Sequence, residues 1–181
     1  MIFDAVVVLC LTSTAYAATA ADVITTNSNL LSQVDTIDIA VVAVTAQTPP
    51  TTAQKVPTSL QSLASAISAA QESLTPVTPT SDGPTETNVA LSWGYFANSV
   101  EELLDDYVRQ SALLINTFGL KSAIYNQLLT FNTTFNSYTA FMGTVVTDGA
   151  YKTEIANNGK AEYGNLGGDT DGMLQAFRYY A

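Results

Sequence analysis

Histidine is absent from this chain, and cysteine occurs once, at Cys10. The first absence removes the imidazole general base, the histidine-containing catalytic triad and histidine metal ligation. The second leaves no cysteine zinc site and no disulfide framework. Few common enzyme mechanisms survive, so the expectation is a protein that is not an enzyme and needs no cofactor or metal. Charge is also scarce: Asp, Glu, Lys and Arg make up 12% of the residues, about half the usual quarter. The six basic residues (Lys55, Arg109, Lys121, Lys152, Lys160, Arg178) are scattered, and the formal net charge is −10. No basic patch is available to neutralise phosphates, which excludes nucleic acid as a partner. Nor is any apolar run long enough to span a bilayer, so no transmembrane segment is expected.

What is present begins with an apolar leader. Residues 1–17 read as a signal peptide, with Ala5 to Leu11 as the apolar stretch and Ala15-Tyr16-Ala17 as the cleavage pattern. Asp4 and the lack of a preceding Lys or Arg speak against it, and a buried N-terminal helix is the alternative. Cleavage would also remove Cys10. An extracellular domain over residues 18–181 would then depend on packing alone, without disulfides.

Helical periodicity dominates that domain. Val23, Leu30, Val34, Ile37, Val41 and Val44 follow one another at steps of seven, four, three, four and three, the stripe of a helix over about 22–46. The β-branched run 37–44 fits a strand less well, since its alternation is poor. A Pro/Thr-rich stretch at 47–57 reads as a loop. Thr58 and Gln61 fit a capping box ahead of a second stripe, Leu60, Leu63, Ile67, Ala70 and Leu74. The three prolines of 75–87 mark a second loop, suited either to O-glycosylation or to a bare surface. A third helix over about 87–117 carries Trp93, Phe96, Val100, Leu103, Tyr107 and Leu114, with a possible break near Asn98 where Ser99 and Glu102 form another capping box. Gly119 supplies a stop. The fourth stripe is the most regular: Ile124, Leu128, Phe131, Phe135, Tyr138, Met142 and Val145. After Gly149 the pattern weakens, with Ile155 and Tyr163 isolated, and a last short helix is expected around Met173, Leu174, Phe177 and Tyr180. Short connections favour antiparallel neighbours. The predicted fold is all-α, an up-and-down bundle of four to five amphipathic helices.

Candidate chemistry is sparse. Glu101, Glu102, Asp105 and Asp106 include i, i+4 carboxylate pairs, but glycoside hydrolysis needs carboxylates facing across a cleft, so a solvated acidic face is expected. Gly168-Asp169-Thr170-Asp171-Gly172 resembles a calcium loop without the required ligands at Gly167 and Arg178, and reads as a turn and helix cap. Asn132-Thr133-Thr134 is the sole N-glycosylation sequon, making Asn132 the candidate acceptor. The aromatic stripe of the fourth helix is either ordinary core or, with the third helix, the lining of an apolar pocket.

Several stretches carry a family resemblance: Asn29-Leu-Leu-Ser-Gln-Val-Asp-Thr-Ile-Asp38, Val100-Glu-Glu-Leu-Leu-Asp-Asp-Tyr-Val108, Phe118-Gly119 and Ser122-Ala-Ile-Tyr-Asn-Gln-Leu128. With the intervening Pro/Thr-rich break, they make the chain resemble the fungal hydrophobic surface-binding protein A and cell-wall galactomannoprotein family. The chain departs from it through extra aromatics (Trp93, Tyr95, Phe96, Phe131, Phe135) and a Gly-rich stretch at 159–172. The resemblance implies a secreted or wall-associated helical protein that adsorbs to hydrophobic surfaces, recruits hydrolases there or holds fatty acids between helices. The apolar stripes and the low charge, which lowers the cost of dehydration, agree with that. The expected function is binding of hydrophobic surfaces or of lipids such as fatty acids, through Leu103, Tyr107, Leu128, Phe131, Phe135 and Tyr138. The alternative is a structural mannosylated wall glycoprotein, with cell-wall polysaccharide as its partner and no small ligand.

Overall fold

A computed structural model describes residues 17–161, 176 and 178–181. Most of the leader, the Gly-rich stretch beyond residue 161 and the turn expected at Gly168–Gly172 lie outside the described residues. So do Tyr163, Met173, Leu174 and Phe177.

Among the described residues the chain forms seven helices. Five are long: α1 (Ala20–Val42), α3 (Lys55–Ser73), α4 (Gly83–Arg109), α6 (Lys121–Val145) and α7 (Gly149–Ala161). Two are short: α2 (Pro50–Ala53) and α5 (Ser111–Asn116). The order of the long helices is up, down, up, down, up. α1 runs alongside α4 in the same direction, since Asn27 meets Ser92 near one end and Val42 meets Gln110 near the other. α3 packs against α1 and α6, and α7 closes the circuit by lying against both α4 and α6. The predicted all-α bundle is the architecture found.

The helix boundaries show which local signals prevailed. The 47–57 loop is partly helical, because Pro50 and Pro57 both occupy first turns, where a missing N–H leaves no bond unmade. Thr58 therefore lies inside α3 and caps nothing. Likewise α4 starts at Gly83, capped by Asp82, whose side chain accepts from the Thr85 amide at 3.1 Å. α4 then continues unbroken through Asn98 and Ser99. The interruption comes at Gln110 instead, between α4 and α5. α1 begins with a capping box that Thr19 and Asp22 form reciprocally. At Gly119, φ is +66° and the Leu120 amide reaches back to the Leu114 carbonyl at 3.0 Å, a left-handed helix stop that a side chain would strain.

The stripes meet in one core. Every member of the α6 stripe is fully buried, as are Trp93, Phe96, Val100, Leu103, Tyr107 and Leu114. α7, where the sequence pattern is weak, is held by its neighbours. The buried carboxylate of Glu86 accepts from the amides of Thr147 and Asp148, at 2.6 and 2.9 Å, and thereby fixes the α6–α7 turn. Those amide bonds hold its carboxyl below the usual range. Gly159 lets α7 approach α6 so closely that a Cβ there would meet Thr139 Cγ2 at 2.5 Å.

Candidate functional site

α4 and α6 make almost no close backbone contact with each other. Aromatic rings fill the space between them. The Trp93 and Phe135 centroids lie 5.1 Å apart, Trp93 and Tyr138 5.8 Å, and Phe96 and Phe135 5.9 Å. Phe131 continues the stack at 5.8 Å from Phe135. Helices that pack directly sit 8–10 Å apart, axis to axis. Here bulky rings hold the two apart.

The polar tips of this core are all paired. The Trp93 indole N–H donates to the Ile155 carbonyl of α7 at 2.9 Å. The Tyr107 hydroxyl donates to the Val56 carbonyl, and the Tyr180 hydroxyl to the Tyr107 carbonyl. The Tyr138 hydroxyl donates to Asn27 Oδ1 at 2.9 Å, and Asn27 Nδ2 donates in turn to Ser92 Oγ at 3.0 Å. Asn27 is completely buried. This chain of bonds ties α1, α4 and α6 together in one register, and burial raises the Tyr138 hydroxyl well above the usual phenol range.

The six residues expected to contact lipid are thus brought into one core, each fully buried. Phe131, Phe135 and Tyr138 belong to the ring stack. Leu103, Tyr107 and Leu128 lie in the same apolar cluster. Their neighbours are one another, and open volume is found instead along the outer helix seams. Between α1 and α4 runs a groove of about 320 Å³ lined by Ile24, Ser28, Leu31, Asn88, Leu91, Ser92 and Tyr95. Leu91 and Tyr95 are 45% and 62% exposed, apolar groups standing in solvent on α4. They sit four residues apart and off the buried stripe, a sequence signal visible only once the stripe is assigned. A wider depression between α3 and α6, about 520 Å³, is lined by hydroxyl, amide and carboxylate groups such as Ser68, Gln71, Glu72 and Thr134.

The acidic run is a solvated face only in part, since Glu102 is exposed and its two aspartates are not. Asp105 and Asp106 have side chains only 15% and 14% exposed and are paired with Arg109, at 3.9 and 2.6 Å. Across the α1–α4 seam stands Asp38, whose Oδ1 is buried with no hydrogen-bond partner. Burial, the facing Asp106 carboxyl and the charges of Glu102 and Asp35 push Asp38 up to about 6. No group of three or more metal-ligating side chains occurs among the described residues. Asn132 is half-buried on α6, and its Oδ1 accepts from Asn136 Nδ2 at 3.0 Å. No described helix is long and apolar enough to cross a membrane.

Fold and site together define an all-α bundle with a ring-filled centre and an apolar outer groove. No protein-family model matches the sequence, and no curated protein matches it. Among solved structures, the crystal structure of AfMP4p in complex with palmitic acid is similar, with a TM-score of 0.76 at 15% sequence identity. The match covers 90% of this chain and 99% of that one. At that identity the likeness establishes a shared fold.

Proposed function

We propose that this chain is a secreted, non-enzymatic binder of apolar chains, such as those of fatty acids, acting outside the cell or at the cell wall as the hydrophobic surface-binding and galactomannoprotein family does. The observation that carries this reading is the match in fold to AfMP4p, a bundle crystallised with palmitic acid. The α1–α4 groove supplies a place for the chain, with Leu91 and Tyr95 already exposed to receive it. Apolar surface covered there contributes about 25 cal/mol per Å², before the cost of association. The scarcity of charge keeps the dehydration cost of nearby surface low.

The test is titration of the folded protein with a pyrene-labelled fatty acid, together with depletion onto hydrophobic beads. Saturable binding is expected, and Leu91→Ser should weaken it by about tenfold, the worth of one apolar side chain's contact. A folded protein that neither binds the probe nor leaves solution on the beads would sink the proposal. The filled core favours a second reading, a mannosylated wall spacer in which Asn132 and the Thr/Pro segments carry glycan. That reading expects glycan mass and retention in the wall fraction, without any ligand.

A further inference from the structure

Among the described residues, the first hydrogen bonds of the chain fall where the leader is expected to end. The Ala18 amide donates to the Pro76 carbonyl at 2.9 Å, and the Thr78 amide donates to the Ala18 carbonyl, also at 2.9 Å. Ala18 thus lies beside Val77 in an isolated parallel bridge. A second such bridge, from Thr80 to Val146, holds the far end of the same linker. Together they tie the α3–α4 connection to the start of α1 and the end of α6. One residue on, Thr19 caps α1 by accepting from the Asp22 amide, while its own amide donates to Asp22 Oδ2 at 2.8 Å. Ala20 is already buried in the core.

With alanine or serine at both ends, the small-x-small cleavage pattern occurs three times here: Ser13 to Ala15, Ala15 to Ala17 and Ala18 to Ala20. A cut after Ala20 would strip away the bridge, the Thr19 cap and a core alanine together. The two earlier cuts spare all of these, but only a cut after Ala17 makes the clasping residue the first one. Resting on the proposed secretion, we infer that the chain is processed at the Ala17–Ala18 bond, and that the new chain end is a structural part of the bundle. Hydrolysis by a leader peptidase adds water across that bond, leaving a carboxylate on Ala17 and an ammonium on Ala18. The Ala18 nitrogen keeps its protons, so its bond to Pro76 survives the cut and becomes charge-assisted. A groove of about 350 Å³, lined in part by Ala17, Ala18, Asp22 and Thr25, keeps the ammonium in reach of water. The peptidase reads the extended chain before it folds, and the fold then uses the residue left first.

Expression of the full chain in a secreting host, with intact-mass and N-terminal peptide analysis of the medium, tests this. A product beginning at Ala18 is expected. Ala17→Glu should abolish that start, because a charged side chain breaks the pattern. Tyr16→Gln, at the unrestricted middle position, should keep it. In the secreted protein the Thr78 amide should exchange its hydrogen at least about tenfold more slowly than in an unstructured peptide. A secreted product that begins at Tyr16 or Ala21, or that keeps Met1, overturns the inference and leaves secretion standing. So does an Ala18 start that persists in Ala17→Glu or is lost in Tyr16→Gln, or a Thr78 amide that exchanges freely. A folded chain that never reaches the medium overturns both.

Discussion

The inner seam between α4 and α6 and the outer seam between α1 and α4 solve the same packing problem in opposite ways. In the inner seam five large rings occupy the space that two helices would otherwise close, and every polar tip among them has a partner. In the outer seam the helices touch closely, yet leave a groove, two exposed apolar side chains and a carboxylate oxygen with no partner. The first arrangement is what stability alone selects, since dense interiors tolerate few voids and few unpaired polar atoms. The second costs stability without an internal return. On the proposed reading, binding falls to the outer seam, while the inner one holds the structure together.

Five substitutions sharpen or break that contrast. Trp93→Ala should have the largest effect, lowering stability in urea unfolding by about 3–5 kcal/mol, as for other large-to-small changes of buried aromatics. A loss under about 1 kcal/mol would mean that the inner seam is not close-packed. Asn27→Leu should cost about 1–3 kcal/mol, because the Tyr138 hydroxyl is left buried without an acceptor. Adding Tyr138→Phe should recover most of that loss, whereas simple additivity of the two changes would break the hydrogen-bond account.

In the outer seam the sign reverses. The folded-state value of Asp38, about 6, lies above that of an unfolded carboxylate near about 4. The native state therefore holds the extra proton between those two values. Its contribution favours folding below about pH 4 and is lost as pH rises through about 6. Asp38→Asn should flatten this slope and raise stability at pH 7.5, by about 1 kcal/mol or less given solvent screening. A variant less stable than the parent at pH 7.5 would overturn the assignment. Tyr95→Ser should change stability least, within about 0.5 kcal/mol, as expected for an exposed site. Its measurable consequence is weaker binding of the labelled fatty acid.

Much of the inner seam was legible in the sequence. The α6 stripe from Ile124 to Val145 and the stripe from Trp93 on α4 to Leu114 on α5 are buried at every position, because a heptad-like pattern fixes which face turns inward whatever the partner. Gly119 was legible for a local reason, its left-handed backbone. Signals that depend on context misled. Ser99 and Glu102 have the spacing of a capping box, yet a helix interior accommodates both residues, and packing of the α4 stripe carries the helix through them. α7 has little pattern of its own, since its position rests on Glu86 and Trp93 of α4 and on the close approach of its own Gly159 to Thr139. The outer groove was the least visible. Leu91 and Tyr95 are unremarkable until the buried stripe is placed, and Asp38 meets Asp106 only through the parallel docking of α1 on α4.

Trp93 is the chain's single tryptophan. It sits against the rings of α6, and its indole N–H is bonded to a carbonyl of α7. The molecule thus carries a built-in optical reporter at the junction of three helices. Its emission belongs to one site, needs no label, and reddens if water reaches the ring. A ligand confined to the outer groove would leave that signal in place, whereas a chain that parts α4 from α6 would change it. The colour of one residue's fluorescence therefore distinguishes a protein that binds on its surface from one that opens its centre.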